Sequence, residues 1–587
     1  MQQWARIAIL GAMFVVAYLL ILAWQKDYGN ADTQPTPEAA VVTHEVSADL
    51  PNGQATAAVP SDVPQANIAN QQQATDATAP VSQQLISVKT DLYHLWINPK
   101  GGDIVRVELL NHDKNKDSDQ PFVLLESDPK RTYVSQSGLI GLNGPDSSRN
   151  GRPVYESEKT SYTLATDAKS SEEKDGKTIK VLNIPMVFKT ADGIEIIKTF
   201  KFTEGDYPVV VTHKIVNRSA SNWQGQMFGQ IKRDASDDPG KSDQGIFTLG
   251  TFLGGAWGDP EDPYNKLKFS NFNDEKLNVD AKGGWVAIVQ HYFVSAWVPG
   301  QLKLTQGNGQ EYTAHLESRK SSDDMNIIGF TSPTINVPAG TVAEVDATFY
   351  AGPKIQSELK DLAVGLNQTV DYGWLWPIAK LLFIGLQFFH GIVGNWGWSI
   401  ILLTILVKLI LWPLSAKSYR SMAKMRVIAP EMQRMKEEFG EDRMRFSQEM
   451  MALYKREQVN PLSGCLPLLL QMPIFLALYW VLMESVELRH APWILWIQDL
   501  SAMDPYFILP LLMGATMFIQ QMLNPQPADP MQAKVFRIMP IIFTVFMLFF
   551  PSGLVLYWIV NNSITILQQS LINKSVEKEK ANREVAN

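Results

Sequence analysis

The chain holds a single cysteine, Cys465, among 587 residues. An intrachain disulfide and a cysteine metal site are therefore excluded, and a lone cysteine in an apolar segment reads as a small buried hydrophobe. The eight histidines are scattered, and no His/Glu group has metal-ligand spacing. "DGKT" at 175–178 resembles the end of a phosphate-binding loop, but the glycine that should open the loop is Ser171. Direct use of ATP is thereby removed. Paired carboxylates, which a proton relay would need, are missing from the apolar segments. With a net charge of −8 and no basic tract in the linker, the chain has no nucleic-acid footprint. No cofactor and no metal are expected. Lys and Arg are absent from Asp27 to Val88, a stretch of Ala, Gln, Thr, Pro and Val without apolar period. Such a composition predicts a disordered linker over residues 27–85.

What is present divides into two populations, because apolar residues crowd into the first 24 positions and the last 220. Arg6 precedes an apolar run from Ile7 to Trp24 with no Ala-x-Ala exit and no following cysteine to carry a lipid. That pattern predicts an uncleaved transmembrane anchor over residues 1–26. Residues 86–360 change character. Runs such as "GIEIIKTFKF" and "PVVVTHKIV" alternate apolar and polar side chains, and "NPKGGD" and "EGDYP" mark turns between them. A large antiparallel β-sandwich is expected there.

The segment 372–394 is apolar, but Lys380 and Gln387 fall on one helical face and Trp374 and Trp376 stand near its start. It predicts an amphipathic helix lying along the membrane surface. Spans are expected at about 397–415, 462–483 and 505–522. Ile538 to Ile572 is a 35-residue apolar run, too long for one crossing. Pro551-Ser552-Gly553 divides it into two further spans. The first of these has two readings: a span of only 13 residues from Ile538 to Phe550, which would thin the bilayer, or a helix beginning near Ala533 with Lys534 and Arg537 snorkelling. The 416–460 loop carries ten Lys or Arg residues, whereas 484–504 carries only Arg489. By the positive-inside rule both termini are cytoplasmic and the β-domain is outside the cytoplasm. The fold class is thus a six-span α-helical integral membrane protein with a large extracytoplasmic β-domain, a five-span core over 397–573, a cytoplasmic helical hairpin at 416–460 and a tail over 574–587.

Seven methionines fall in that hairpin: Met422, Met425, Met432, Met435, Met444, Met450 and Met451. A flexible thioether adapts to irregular partners, so the hairpin suits capture of variable apolar segments; the competing reading is that the methionines pack its two helices together. The break is expected at Gly440, with Glu441 and Asp442 at the second N-terminus.

One residue breaks the apolar pattern. In "WSIILLTILVKLILWPL" Lys408 stands among Leu, Ile and Val. A central lysine costs about 2.5–3.5 kcal/mol on insertion, and each apolar neighbour returns roughly 0.3–0.6, so the segment still inserts. The cytoplasmic Lys417 is nine residues away, roughly 13 Å along a helix, beyond easy snorkelling. A water-containing cavity follows, to which Thr404, Gln471, Gln520, Gln521, Asn561 and Asn562 could contribute. Taken singly, each of these polar residues also reads as an interhelical hydrogen-bonder.

The block from "SMAKMRVIAPEMQRMKEEFGEDRMRFSQEMM" through "LSGCLPLLLQMPIFLALYWVLM", with "DPYFILPLLMGATMFIQQM" and "FPSGLVLYWIVNN", resembles the YidC/Oxa/Alb family of membrane protein insertases. The likeness is clear over about Trp398 to Asn573, and the layout resembles the Gram-negative members. It implies an inner-membrane insertase and folding chaperone, not an enzyme, acting alone or with the Sec translocon. Nascent membrane proteins, the lipid bilayer, the ribosome and the signal recognition particle receptor are its implied partners. Lys408 matches the groove position that is usually arginine in the family; the charge is kept and the bidentate fork lost. Thr404 and Trp558 match further groove positions, Trp558 replacing a tyrosine, and Met472, Pro473 and Phe475 match positions that contact the incoming segment. The resemblance also implies a galactose-mutarotase-type β-supersandwich for the periplasmic domain. Two other classes remain as alternatives: a secondary transporter, which would show inverted repeats, and a membrane-anchored carbohydrate-binding or epimerising protein, which would show a His/Glu acid–base pair.

Overall fold

The computed structural model describes residues 84–586 except 117, 149–150, 175, 240–250, 305–307, 440–441, 458, 460–465 and 525–529. The expected anchor, and all but the last two residues of the expected linker, lie outside the described residues.

The region from Ile86 to Pro353 forms two 11-stranded sheets, antiparallel apart from the pairing of Ile86–Lys89 with Ser161–Thr163. Period-2 alternation supplies the buried faces: Ile194–Thr203 and Val209–Asn217 each bury every second residue and pair in antiparallel register, Ile196 opposite Ile215 and Phe200 opposite Val211. One apolar cluster joins both sheets, with the Phe122 and Phe293 rings stacked 4.2 Å apart. The inward face also carries charge. Lys198 is fully buried and donates to the carbonyls of Gly101, Gly102 and Ser137 at 2.8–2.9 Å. Arg152 bonds Asp146 at 2.7 Å, pairs with Asp103 and donates to the Ser137 carbonyl. These groups pin the "NPKGGD" turn to the sandwich. Gly101 and Gly102 have φ of +78° and +66°, a conformation that favours glycine, and a Cβ at either would meet the end of the Arg152 or Lys198 side chain.

After Pro353 the chain turns into helices: α1 (Gln356–Leu362), α2 (Trp376–Val393), α3 (Trp396–Phe439), α4 (Arg443–Arg456), α5 (Leu466–Glu484), α6 (Ile508–Leu523), α7 (Pro530–Met547) and α8 (Ser552–Ala586). By length and composition, 373–393 and α3 are long and apolar enough to cross a membrane. α3 is continuous for 44 residues, so the expected boundary at 416 falls inside one helix. α8 likewise runs without a break past 573. α7 begins at Pro530, earlier than Ala533, and its 18 residues give about 27 Å of helix. α6 is shorter, 16 residues or about 24 Å. A Cβ on Gly514 of α6 would collide with Thr544 of α7, so the small residue sets that close crossing. Pro551 bridges Met503, and the Ser552 amide donates to the Ala502 carbonyl at 2.7 Å, placing the expected turn between α7 and α8 against the 491–507 loop.

The β-domain grips the C-terminal end of α5. Lys354 and Glu484 form an ion pair of 2.9 Å with both side chains almost fully buried, and Lys354 also donates to the Thr369 carbonyl. His291 Nε2 lies 2.6 Å from the Met483 carbonyl. Val486 is part of the sandwich core, and the Arg489 guanidinium donates to the Asp113 carbonyl at 2.7 Å while facing the rings of Phe122, Tyr292 and Phe293.

Two outcomes are expected. Lys354→Ala strands a buried carboxylate and should cost about 3–5 kcal/mol, read as a lower thermal midpoint of the intact protein in detergent; an unchanged midpoint contradicts a tight junction. Burial pushes the imidazoles of His112 and His291 down to about 4 and about 3, so they stay neutral in the fold while the unfolded chain titrates at 6.5. Their contribution is complete above 6.5 and declines as pH falls towards those values. The midpoint should therefore drop between pH 6.5 and about 5, with a smaller drop in His112→Phe.

Candidate functional site

A cavity opens between α3, α5 and α8, lined by Thr404, Lys408, Ser415, Gln471, Tyr557 and Asn561 with largely apolar neighbours. The helices put them there by simple spacing. Thr404, Lys408, Leu411 and Ser415 recur at three or four residues along α3, and Tyr557 and Asn561 are one turn apart on α8. Lys408 is 8% exposed, and among the described residues that line the cavity there is no Asp or Glu. Its ammonium donates to Thr565 Oγ1 at 2.9 Å and to Gln471 Oε1 at 3.4 Å. Gln471 in turn donates to the Tyr557 hydroxyl at 3.2 Å. A chain of neutral groups thus ties three helices around one charge. Thr404 is buried and gives its hydroxyl proton to the Ile400 carbonyl at 2.6 Å, leaving its oxygen lone pairs for the cavity.

The residues expected at the groove separate into three groups. Thr404, Lys408 and Gln471 line the cavity. Phe475 and Trp558 stand beside it, in an edge-to-face pair 4.7 Å apart that continues to Phe543 of α7 at 5.1 Å. Met472 is 40% exposed and Pro473 is half-buried within α5; neither lines the cavity. Of the other polar candidates, Asn561 lines it, Asn562 instead donates to Thr516 of α6, and Gln520 and Gln521 are not among its lining residues. Thr565, Tyr557 and Ser415 were not expected. Tyr557, Asn561, Thr565 and Gln568 recur at three- or four-residue spacing along one stripe of α8, a signal that could have revealed them.

In the hairpin, the second half of α3 packs on α4 through Ile428, Leu453 and Val459, with Met425, Met432 and Met435 against them. Asp442 caps α4 by accepting from the Met444 and Arg445 amides. Met422 and Met450 are half-buried, whereas Met444 and Met451 are exposed. Packing thus accounts for three methionines and leaves two on the surface.

A β-sandwich is joined to an apolar helical bundle with a buried charge in a polar groove, the architecture of a membrane protein that carries a separate folded domain. Family comparison agrees: residues 85–384 match the YidC periplasmic domain and residues 388–580 the 60Kd inner membrane protein family. A membrane protein insertase YidC from Marinomonas sp. (strain MWYL1) is 48% identical over 98% of this chain and 100% of its own. Its counterpart from Stutzerimonas stutzeri (strain A1501) is 49% identical over 97% and 98%. A crystal structure of an active YidC insertase aligns over 83% of this chain and 92% of its own, at 16% identity and a TM-score of 0.37. The chain belongs to the YidC family of membrane protein insertases.

The packing of the hairpin makes an expectation. Met432→Ala should lower hydrogen-exchange protection across α4 by about 1–2 kcal/mol, as for a partly buried methionine, while Met444→Ala leaves it unchanged. Equal effects would mean that Met444 also packs.

Proposed function

We propose that this insertase receives the polar flank of a nascent membrane protein in the groove around Lys408 and releases its apolar segment sideways into lipid. The observation that carries the reading is a buried ammonium whose hydrogen bonds go to a threonine and a glutamine, in a cavity with no carboxylate among the described residues that line it. A positive charge in low dielectric lowers the cost of a client's acidic residue passing through. Burial of the client's apolar surface then drives its exit. The step is one of binding and partition, and no covalent chemistry is assigned to the chain.

In this reading α3, α5, α6, α7 and α8 are five spans and residues 1–26 supply a sixth, with α2 lying at the membrane surface. Exposed Trp374, Trp376, Leu381, Ile384 and Phe388 support that placement for α2. The basic hairpin and tail face the cytoplasm by charge bias, and the β-domain faces the periplasm of the inner membrane. Exposed Met444 and Met451 are the hairpin's contacts for arriving segments, with Met422 and Met450 able to join them. Clients leave past Met472, Pro473, Phe475 and Trp558. Handover from the ribosome or the signal recognition particle receptor at the hairpin, and contact of the β-domain with Sec translocon components, complete the scheme.

The test is insertion of a single-span client with an acidic N-terminal tail at matched expression. Lys408→Arg should retain insertion, whereas Lys408→Ala and Lys408→Glu should lower it by about tenfold or more, the scale of a lost charge-assisted contact. Full insertion in both would remove Lys408 from client reception and leave that role to the hairpin.

A further inference from the structure

The two partners of the Lys408 ammonium are not equivalent. We propose that Thr565 is its fixed partner and Gln471 its displaceable one, so that Thr565 positions the charge for a client carboxylate that takes the place of Gln471. The proposal rests on the groove reading above and assigns a role within it to residues of α5 and α8.

Thr565 is 2% exposed. Its hydroxyl proton is given to the Asn561 carbonyl, one turn back on α8, at 2.8 Å. With the proton committed, the oxygen can only accept, and it accepts from Lys408 at 2.9 Å. Tyr419 also hydrogen-bonds this side chain, so rotating the hydroxyl away would break three bonds, and a β-branched side chain on a helix has few rotamers to use. Gln471 is held differently. Its carbonyl lies at 3.4 Å from the ammonium, and its amide nitrogen reaches the Tyr557 hydroxyl at 3.2 Å, both at the long end of hydrogen-bond geometry. A carboxylate has the same planar outline as the amide and makes a charge-assisted bond roughly twice as strong. The exchange therefore needs little new space, and no resident carboxylate among the lining residues competes for the site. Because Gln471 belongs to α5 and Thr565 to α8, the exchange unties α3 from α5 while α3 remains bound to α8. The arrival of an acidic residue thus loosens the α5 side of the groove.

The experiment uses the intact protein in proteoliposomes and two forms of one client, with an acidic or an amide-substituted tail. The readout is the ratio of their insertion rates, which cancels the amount of active protein. Thr565→Val should lower the ratio by about tenfold, the size of one hydrogen bond to a charged group, and Thr565→Ser should restore it. Gln471→Glu, which installs a resident carboxylate on Lys408, should lower it as well. Adding Thr565→Val to Lys408→Ala should produce no further change, since a positioning residue acts through the group it positions. A wild-type ratio in Thr565→Val beside a reduced one in Lys408→Ala would overturn the role of Thr565 alone. The same holds if Thr565→Val lowers the ratio equally with and without Lys408. An unchanged ratio in Lys408→Ala would overturn the groove reading itself.

Discussion

An ammonium surrounded by hydrocarbon has to be hydrogen-bonded by its neighbours, and much of the polar architecture of the bundle follows from that constraint. Lys408 draws Thr565 from α8 and Gln471 from α5, and Gln471 draws Tyr557. Two turns further along α3, Ser415 accepts from Gln568 at 3.0 Å, so the same pair of helices is stitched twice. A lysine suits this arrangement because its compact head uses separate donors toward separate oxygens, where a guanidinium would present a rigid fork.

The other anchor of the bundle lies at the far end of α5. There the helix ends in a buried ion pair and a histidine contact supplied by the β-domain, while Gln471 sits 13 residues earlier in the sequence, roughly 20 Å along the helix. α5 is thus held firmly at one end and by a long amide contact near the other. The junction is more than a tether: a side chain from the 485–489 turn is counted in the core of the sandwich.

How much of this was legible in the sequence depends on which signal each element carries. Period-2 alternation identified the strands at 194–203 and 209–217, but it says nothing of what Lys198 faces. The register instead places it on the buried face, opposite His213, because alternation reports a side but not what lies there. Lys408 was legible because its cost in hydrocarbon is large, and Thr404 and Gln471 followed as polar residues near it. Thr565 was not, since a threonine on a membrane helix usually satisfies itself on its own backbone, and only the packing of α8 on α3 shows that it does this and binds Lys408 too. Composition leaves the length of α7 open, because Lys534 and Arg537 mark the end of apolar composition and not the end of hydrogen bonding. At 416 the same two signals part company. Composition changes there, but the backbone of α3 continues without interruption.

That continuity makes α3 a lever. From Pro413 to Phe439 it extends 26 residues, about 39 Å, and proline is where a helix bends most easily. A bend of about 10° at Pro413 would carry the far tip through roughly 7 Å, while Lys408, five residues from the pivot on the other arm, would move by only about 1 Å. A large excursion of the tip is thereby geared down to a small displacement beside the buried charge.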